Sequence, residues 1–198
     1  MDADFFANFN RDLRNPSLWK QFNARHQQNQ TSNASTTLLP VPEVDAEWLF
    51  WEMMRISRTP DPHMFPALKK LRESGKFVLG ALSNTVIFPD GHPFGVDQIG
   101  LKSQFDFFIS SAHTGLRKPE PKIYEAALKE MNALAKKRGI GGAAPSDVVF
   151  FDDIGENLKA AKKSGMRTIK VTLGKTQDAV KELEKFTGLE LLGDKARL

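Results

Sequence analysis

Val148-Val149-Phe150-Phe151-Asp152-Asp153-Ile154-Gly155-Glu156-Asn157 is a short apolar run that ends in two acids and then enters a helix-forming stretch. Four large apolar residues in a row are too few for a buried helix but suit a strand covered on both faces. Asp152 and Asp153 then fall at its carboxyl end, where buried backbone meets solvent. In open α/β sheets ligands bind beyond that end. Adjacent carboxylates repel one another unless they share a cation, so a hard divalent metal such as Mg²⁺ is the natural partner. The competing reading makes one aspartate a cap for the helix that starts near Gly155.

Working outward, the same alternation of short apolar runs and helical stretches continues on both sides. Strands are expected over Phe77 to Leu82, Phe107 to Ser111 and Thr168 to Val171. Helices are expected over Met64 to Ser74, Pro121 to Arg138, Asn157 to Ser164 and Thr176 to Phe186, with Gly75 and Gly165 as stops. This order predicts an α/β fold with a parallel sheet covered by helices on both faces. Two further polar clusters fall near strand ends. Ser83-Asn84-Thr85 follows Leu82 and either donates hydrogen bonds to an anion or only forms a turn. Lys118-Pro119 follows the next strand, and its ammonium either neutralises a phosphate or lies on the surface.

Before Pro60 the chain reads differently. Asp2 to about Leu13 places Phe5, Phe6, Phe9 and Leu13 on one helical face, and Asn15-Pro16 breaks it. Residues 27–42 are rich in Gln, Asn, Ser and Thr and are expected to form a flexible loop. A helix dense in Trp48, Phe50, Trp51, Met53 and Met54 resumes over Val44 to Ile56. The expected division is therefore a helical segment over 1–58 and an α/β core over 59–198.

Composition narrows the function classes. The 198 residues carry 28 basic and 24 acidic side chains, a formal charge of +4, with 40% hydrophobic residues and no cysteine. Without cysteine there is no disulfide scaffold, thiol nucleophile or cysteine-based metal site. The basic residues are spread in pairs along helical stretches beside acids, without the basic stripe and interleaved aromatics of a nucleic-acid binder. No apolar run reaches the roughly 20 residues of a membrane helix. Met1-Asp2-Ala3-Asp4 has no basic, greasy leader. A cytoplasmic protein binding neither nucleic acid nor membrane is expected. His26, His63, His92 and His113 show no paired ligand spacing.

Taken in order, the three strand-end clusters resemble motifs II, III and IV of the haloacid dehalogenase (HAD) superfamily, and within it the phosphatase domains at the N-terminus of soluble epoxide hydrolases. The similar run extends from Leu79 to Leu192 and includes Gly115-Leu116-Arg117-Lys118-Pro119-Glu120-Pro121. The resemblance implies a HAD-type Rossmann-like sheet with a partial α-helical cap, the segment before Pro60. It further implies Mg²⁺-dependent hydrolysis of a small phosphorylated molecule. On this resemblance Ser83 binds the transferred phosphoryl group, Asn84 helps to position ligand and Lys118 neutralises charge. Asp153 and Asp152 serve the metal, with Asn157 in support.

One part of the family pattern has no counterpart in this sequence. Motif I is an apolar strand running into Asp-x-Asp, and it supplies the nucleophile. Asp2-Ala3-Asp4 matches the letters, but Phe5-Phe6 follows where the family turns, and the helical periodicity makes it the start of a cap helix. The expected chain is thus a truncated, impaired HAD hydrolase. The alternatives are a non-catalytic phosphate-binding or partner-binding protein and a 2-haloacid dehalogenase-type hydrolase. In the family the motif I strand lies centrally, between the strand of motif IV and the one leading to motif II. Its loss predicts either a slot or direct pairing between Phe77–Leu82 and Val148–Phe151, with a homo-oligomer or a strand-donating partner as ways to complete the sheet.

Overall fold

The computed structural model describes Ser17 and residues 45–88, 90–97 and 100–193. The expectations for Asp2 to Leu13 and for the loop over 27–42 lie outside these residues. The chain divides into two compact units, Met1–Thr59 with Phe88–Phe94, and Pro60–Ile87 with Gly95–Leu198.

The described part of the first unit contains helix α1 (Ala46–Ser57), whose N-cap Asp45 accepts the Trp48 N–H. That bond satisfies one of the orphan donors of the first turn. Trp51 stacks on His92 with ring centroids 4.2 Å apart, and Phe94 meets both rings edge-on. Arg58 lies over Phe94 and donates to its carbonyl.

The second unit carries four short parallel strands. β1 (Gly80–Ser83) pairs with β2 (Phe107–Ser110), Ser83 facing Ser110 at the carboxyl end. β3 (Val149–Asp152) pairs with β4 (Arg167–Lys170), Asp152 facing Lys170. Helices α2 (Met64–Ser74), α3 (Ser111–Thr114), α4 (Pro121–Lys137), α5 (Gly155–Lys163) and α6 (Thr176–Thr187) complete the unit. Side-chain alternation shows that both pairs belong to one layer. Leu79, Val149, Phe151 and Ile169 pack on one face with Ala67 and Leu71 of α2 and Val180 of α6. Leu82, Phe107, Ile109 and Phe150 pack on the other with Ile123 and Tyr124 of α4 and Ala161 of α5. The same two helix layers thus cover both strand pairs, the arrangement of an α/β core.

The layer is not one continuous sheet among the described residues. Among the described residues the strands form two separate two-stranded sheets, and no backbone ladder joins β1 to β3. Direct pairing of these strands, one of the two expected outcomes, is therefore not what the structure contains.

Strand boundaries shift from the expected ones by one to three residues. β1 starts at Gly80 instead of Phe77, because the preceding backbone bonds to a side chain: Leu79 N–H donates to the Asp106 carboxylate at 2.8 Å. Asp106 N–H in turn donates to the Leu79 carbonyl at 2.7 Å. The same carboxylate accepts from Arg138, the residue capping α4, and from Arg72 of α2. A single acid thus ties both helices to the amino end of the β1–β2 pair. β1 and β3 each run one residue further than expected, so Ser83 and Asp152 are strand residues rather than the first residues beyond. α2 begins where Asp61 accepts the N–H groups of His63 and Met64, and it stops at Gly75 with φ 66°. No described helix is long and apolar enough to cross a membrane.

Candidate functional site

Lys118 is the residue around which the strand ends are organised. It lies in the loop between α3 and α4, followed by Pro119 across a cis peptide. Its Nζ donates to Asp152 Oδ2 at 2.6 Å, and both side chains are largely buried, 13% and 3% exposed. The pair bridges from the β1–β2 side of the layer to the end of β3. Asp152 Oδ1 accepts two more bonds, from Asn157 Nδ2 at 2.9 Å and from the Ile154 N–H at 2.8 Å. Burial alone would raise the Asp152 carboxyl, but the bonds from Lys118, Asn157 and Ile154, with the Lys118 charge, hold it below the usual carboxylate range. Asp152 is an anion at neutral pH, and its partners are all within the protein.

The helix-cap reading of this acid is corrected by the geometry. The N-cap of α5 is Ile154, with no side-chain capping bond, and Asp152 binds the N–H of that residue two positions on. Asp153 differs from its neighbour: it is exposed and makes no hydrogen bond or ion pair among the described residues. Asp152 closes β3 and has a full set of internal bonds, whereas Asp153 lies just beyond the strand and is left open.

Ser83 closes β1, half-buried, and its hydroxyl has no partner among the described residues. Asn84 is exposed, yet its carboxamide is occupied. Its Oδ1 accepts the Lys118 N–H and its Nδ2 donates to the Lys118 carbonyl, both at 2.9 Å. Beyond it, Thr85 Oγ1 meets Ser110 Oγ at 2.5 Å, and Ser110 Oγ meets His113 Nδ1 at 2.9 Å. These hydroxyl contacts tie the exit of β1 to the exit of β2.

Tyr124 is the supporting residue that the sequence reading did not single out. It is fully buried on α4, its ring meets Phe150 edge-on at 5.5 Å, and its hydroxyl donates to the Asn157 carbonyl at 3.0 Å. Burial, and then the Asp152 charge, push it up to about 12, so it stays a neutral donor. In sequence it is one more apolar residue on a helix face; only its being the sole tyrosine of the chain sets it apart.

An ammonium has three protons. Lys118 gives one to Asp152, and at the end of β1 the Ser83 hydroxyl has no partner among the described residues. Among the described residues no group of three or more His, Asp or Glu side chains converges. With Asp152 committed to Lys118, Asp153 is a single open carboxylate, and these donors do not by themselves make an Mg²⁺ site.

The fold and this arrangement define a class: an α/β protein with a buried lysine–carboxylate pair at the strand ends. Comparison with known proteins gives the family. A sequence profile of the haloacid dehalogenase-like hydrolases matches residues 9–165, and the chain belongs to that family. Bifunctional epoxide hydrolase 2 from Sus scrofa is 41% identical over 92 residues, 46% of this chain and 14% of that protein. Acyl-CoA dehydrogenase family member 10 from Mus musculus is 34% identical over 131 residues, 66% of this chain and 11% of that protein. Glyceraldehyde 3-phosphate phosphatase from Methanopyrus kandleri is 28% identical over 120 residues, 60% of this chain and 46% of that protein. The matches thus cover less than half of each of these relatives.

Proposed function

We propose that this chain carries the phosphate-recognising part of a HAD phosphatase site, with the lineage chemistry of Mg²⁺-dependent phosphate-ester hydrolysis impaired because no strand running into an Asp-x-Asp nucleophile is present among the described residues. The observation that carries this reading is the buried Lys118–Asp152 pair, 2.6 Å apart, at the carboxyl end of β3. Asp152 fixes the ammonium, Asn157 fixes Asp152, and Tyr124 in turn holds the Asn157 backbone. Lys118 then neutralises a phosphate placed beyond the strands, and the Ser83 hydroxyl donates to one of its oxygens. Asp153 is the residue assigned to the metal and Asp152 a supporting one. A single open carboxylate holds Mg²⁺ only together with phosphate oxygens.

A relative named as a glyceraldehyde 3-phosphate phosphatase favours a small phosphate monoester as the ligand class. Positioned donors lower a barrier only when a nucleophile attacks, and Ser83 has no base within hydrogen-bonding distance among the described residues. The test is turnover of a generic aryl phosphate with Mg²⁺. Negligible turnover is expected. Robust turnover that disappears in Asp153→Asn or Lys118→Ala would overturn the reading and point back to Asp2 and Asp4.

A further inference from the structure

We propose that Asn84 is a positioning residue for Lys118, not a group that touches ligand. This rests on the reading of Lys118 as the phosphate-neutralising residue, and it assigns Asn84 a different role from the ligand contact implied by family resemblance. Its carboxamide binds the backbone of one residue twice, accepting the Lys118 N–H and donating to the Lys118 carbonyl, at 2.9 Å each. These groups belong to the two peptide planes that flank the Lys118 Cα, so both planes are fixed at once. The pattern is that of a strand partner, supplied by a side chain in a loop where no strand runs.

Among side chains of this length, only an amide offers a donor and an acceptor side by side. The geometry also fixes which end is which, since a flipped amide would set N–H against N–H and oxygen against oxygen. The consequence reaches the ammonium. Lys118 has four rotatable side-chain bonds, and its Nζ must end 2.6 Å from Asp152 on the far strand pair. A fixed base removes one source of freedom from that reach, lowering the entropy cost of the ion pair. Asn84, Lys118 and Asp152 together form a polar brace from the end of β1 to the end of β3, two strands that no backbone ladder connects among the described residues.

The test reads the Lys118 side-chain ammonium by NMR in protein labelled with ¹⁵N-lysine, with no ligand added. In the unaltered chain the buried, ion-paired ammonium exchanges its protons slowly enough to give a separate signal. In Asn84→Ala that signal should broaden away, with proton exchange faster by about tenfold or more, while the methyl spectrum remains that of a folded protein. Asn84→Asp, which keeps the acceptor and loses the donor, should fall between the two and serves if the alanine variant does not fold. Thr85→Val loosens the same turn without touching Lys118 and should leave the signal in place. An unchanged ammonium signal in Asn84→Ala or Asn84→Asp overturns the proposal, as does equal loss in Thr85→Val. Because no phosphate is present, this result is independent of whether the chain binds or hydrolyses phosphate.

Discussion

Lys118 and Asp152 lie 13% and 3% exposed, a burial at which removing one partner matters more than the pair itself contributes. Lys118→Met leaves the Asp152 carboxylate buried without its counter-charge and should destabilise the domain at neutral pH by roughly 3–5 kcal/mol, measured by urea unfolding. Asp153 should behave in the opposite way. Its open carboxylate repels a phosphate held by Lys118, so in metal-free buffer Asp153→Asn should tighten phosphate binding several-fold, about 1 kcal/mol for charges a few ångströms apart in a half-solvated site. Weaker binding in that variant would count against its place beside the phosphate.

Asp106 provides the pH dependence at this scale. Burial raises its carboxyl, but hydrogen bonds from Arg138 and Leu79, with the Arg138 and Arg72 charges, hold it below the usual range. A carboxyl lowered in the folded state stabilises above its unfolded value near 3.9, and that contribution disappears as pH falls through the folded value. Asp106→Asn should cost about 2 kcal/mol at pH 7, discounted for the part-exposed arginines. The gap to the unaltered protein should narrow as pH falls below the unfolded value near 3.9. A gap that stays constant with pH would show that the charge is not what matters.

Among the elements, the β1–β2 pair depends on a glycine. A Cβ at Gly80 would come within 2.1 Å of the Phe107 ring, which lies across that position from the paired strand. Gly80→Ala should therefore push the ring from its place and cost about 1–3 kcal/mol, read as a lowered melting temperature that Phe107→Leu partly restores. Gly80→Ala without effect would mean the ring moves freely. The elements themselves were legible in the sequence because continuous apolar runs and helical periodicity are strong local signals, and α2 has the bounds expected from Met64 to Ser74. The start of β1 was not legible, since it depends on Asp106, a residue distant in sequence whose carboxylate takes the place of a strand partner for Leu79. The division of labour at the acids was likewise hidden. Asp152 and Asp153 are the same letter, and only the positions of Lys118 and Asn157 make one a buried anion. Tyr124 escaped for the opposite reason, being core by periodicity and polar only at its tip.

For the whole molecule, the decisive feature is a parallel layer whose described strands form two pairs instead of one sheet. Two-stranded sheets are marginal by themselves, and here each is held mainly by shared helices on both faces. Every backbone group on the inner edges left without a partner or water costs about 1–3 kcal/mol, against a total domain stability of roughly 5–15 kcal/mol. The isolated chain should melt below about 45 °C, under the usual range for mesophilic domains. A sharp, cooperative monomer transition well above that range would contradict this energetic argument. The central claim is that the groups meeting at the strand ends still recognise phosphate. It is tested most directly by titrating inorganic phosphate into ¹⁵N-labelled protein, with Lys118→Ala in parallel. The account predicts saturable amide shifts confined to Ser83, Asn84, Lys118 and Asp153 and their neighbours, absent from the variant. No saturable shift at these residues, or the same shifts in Lys118→Ala, would contradict it.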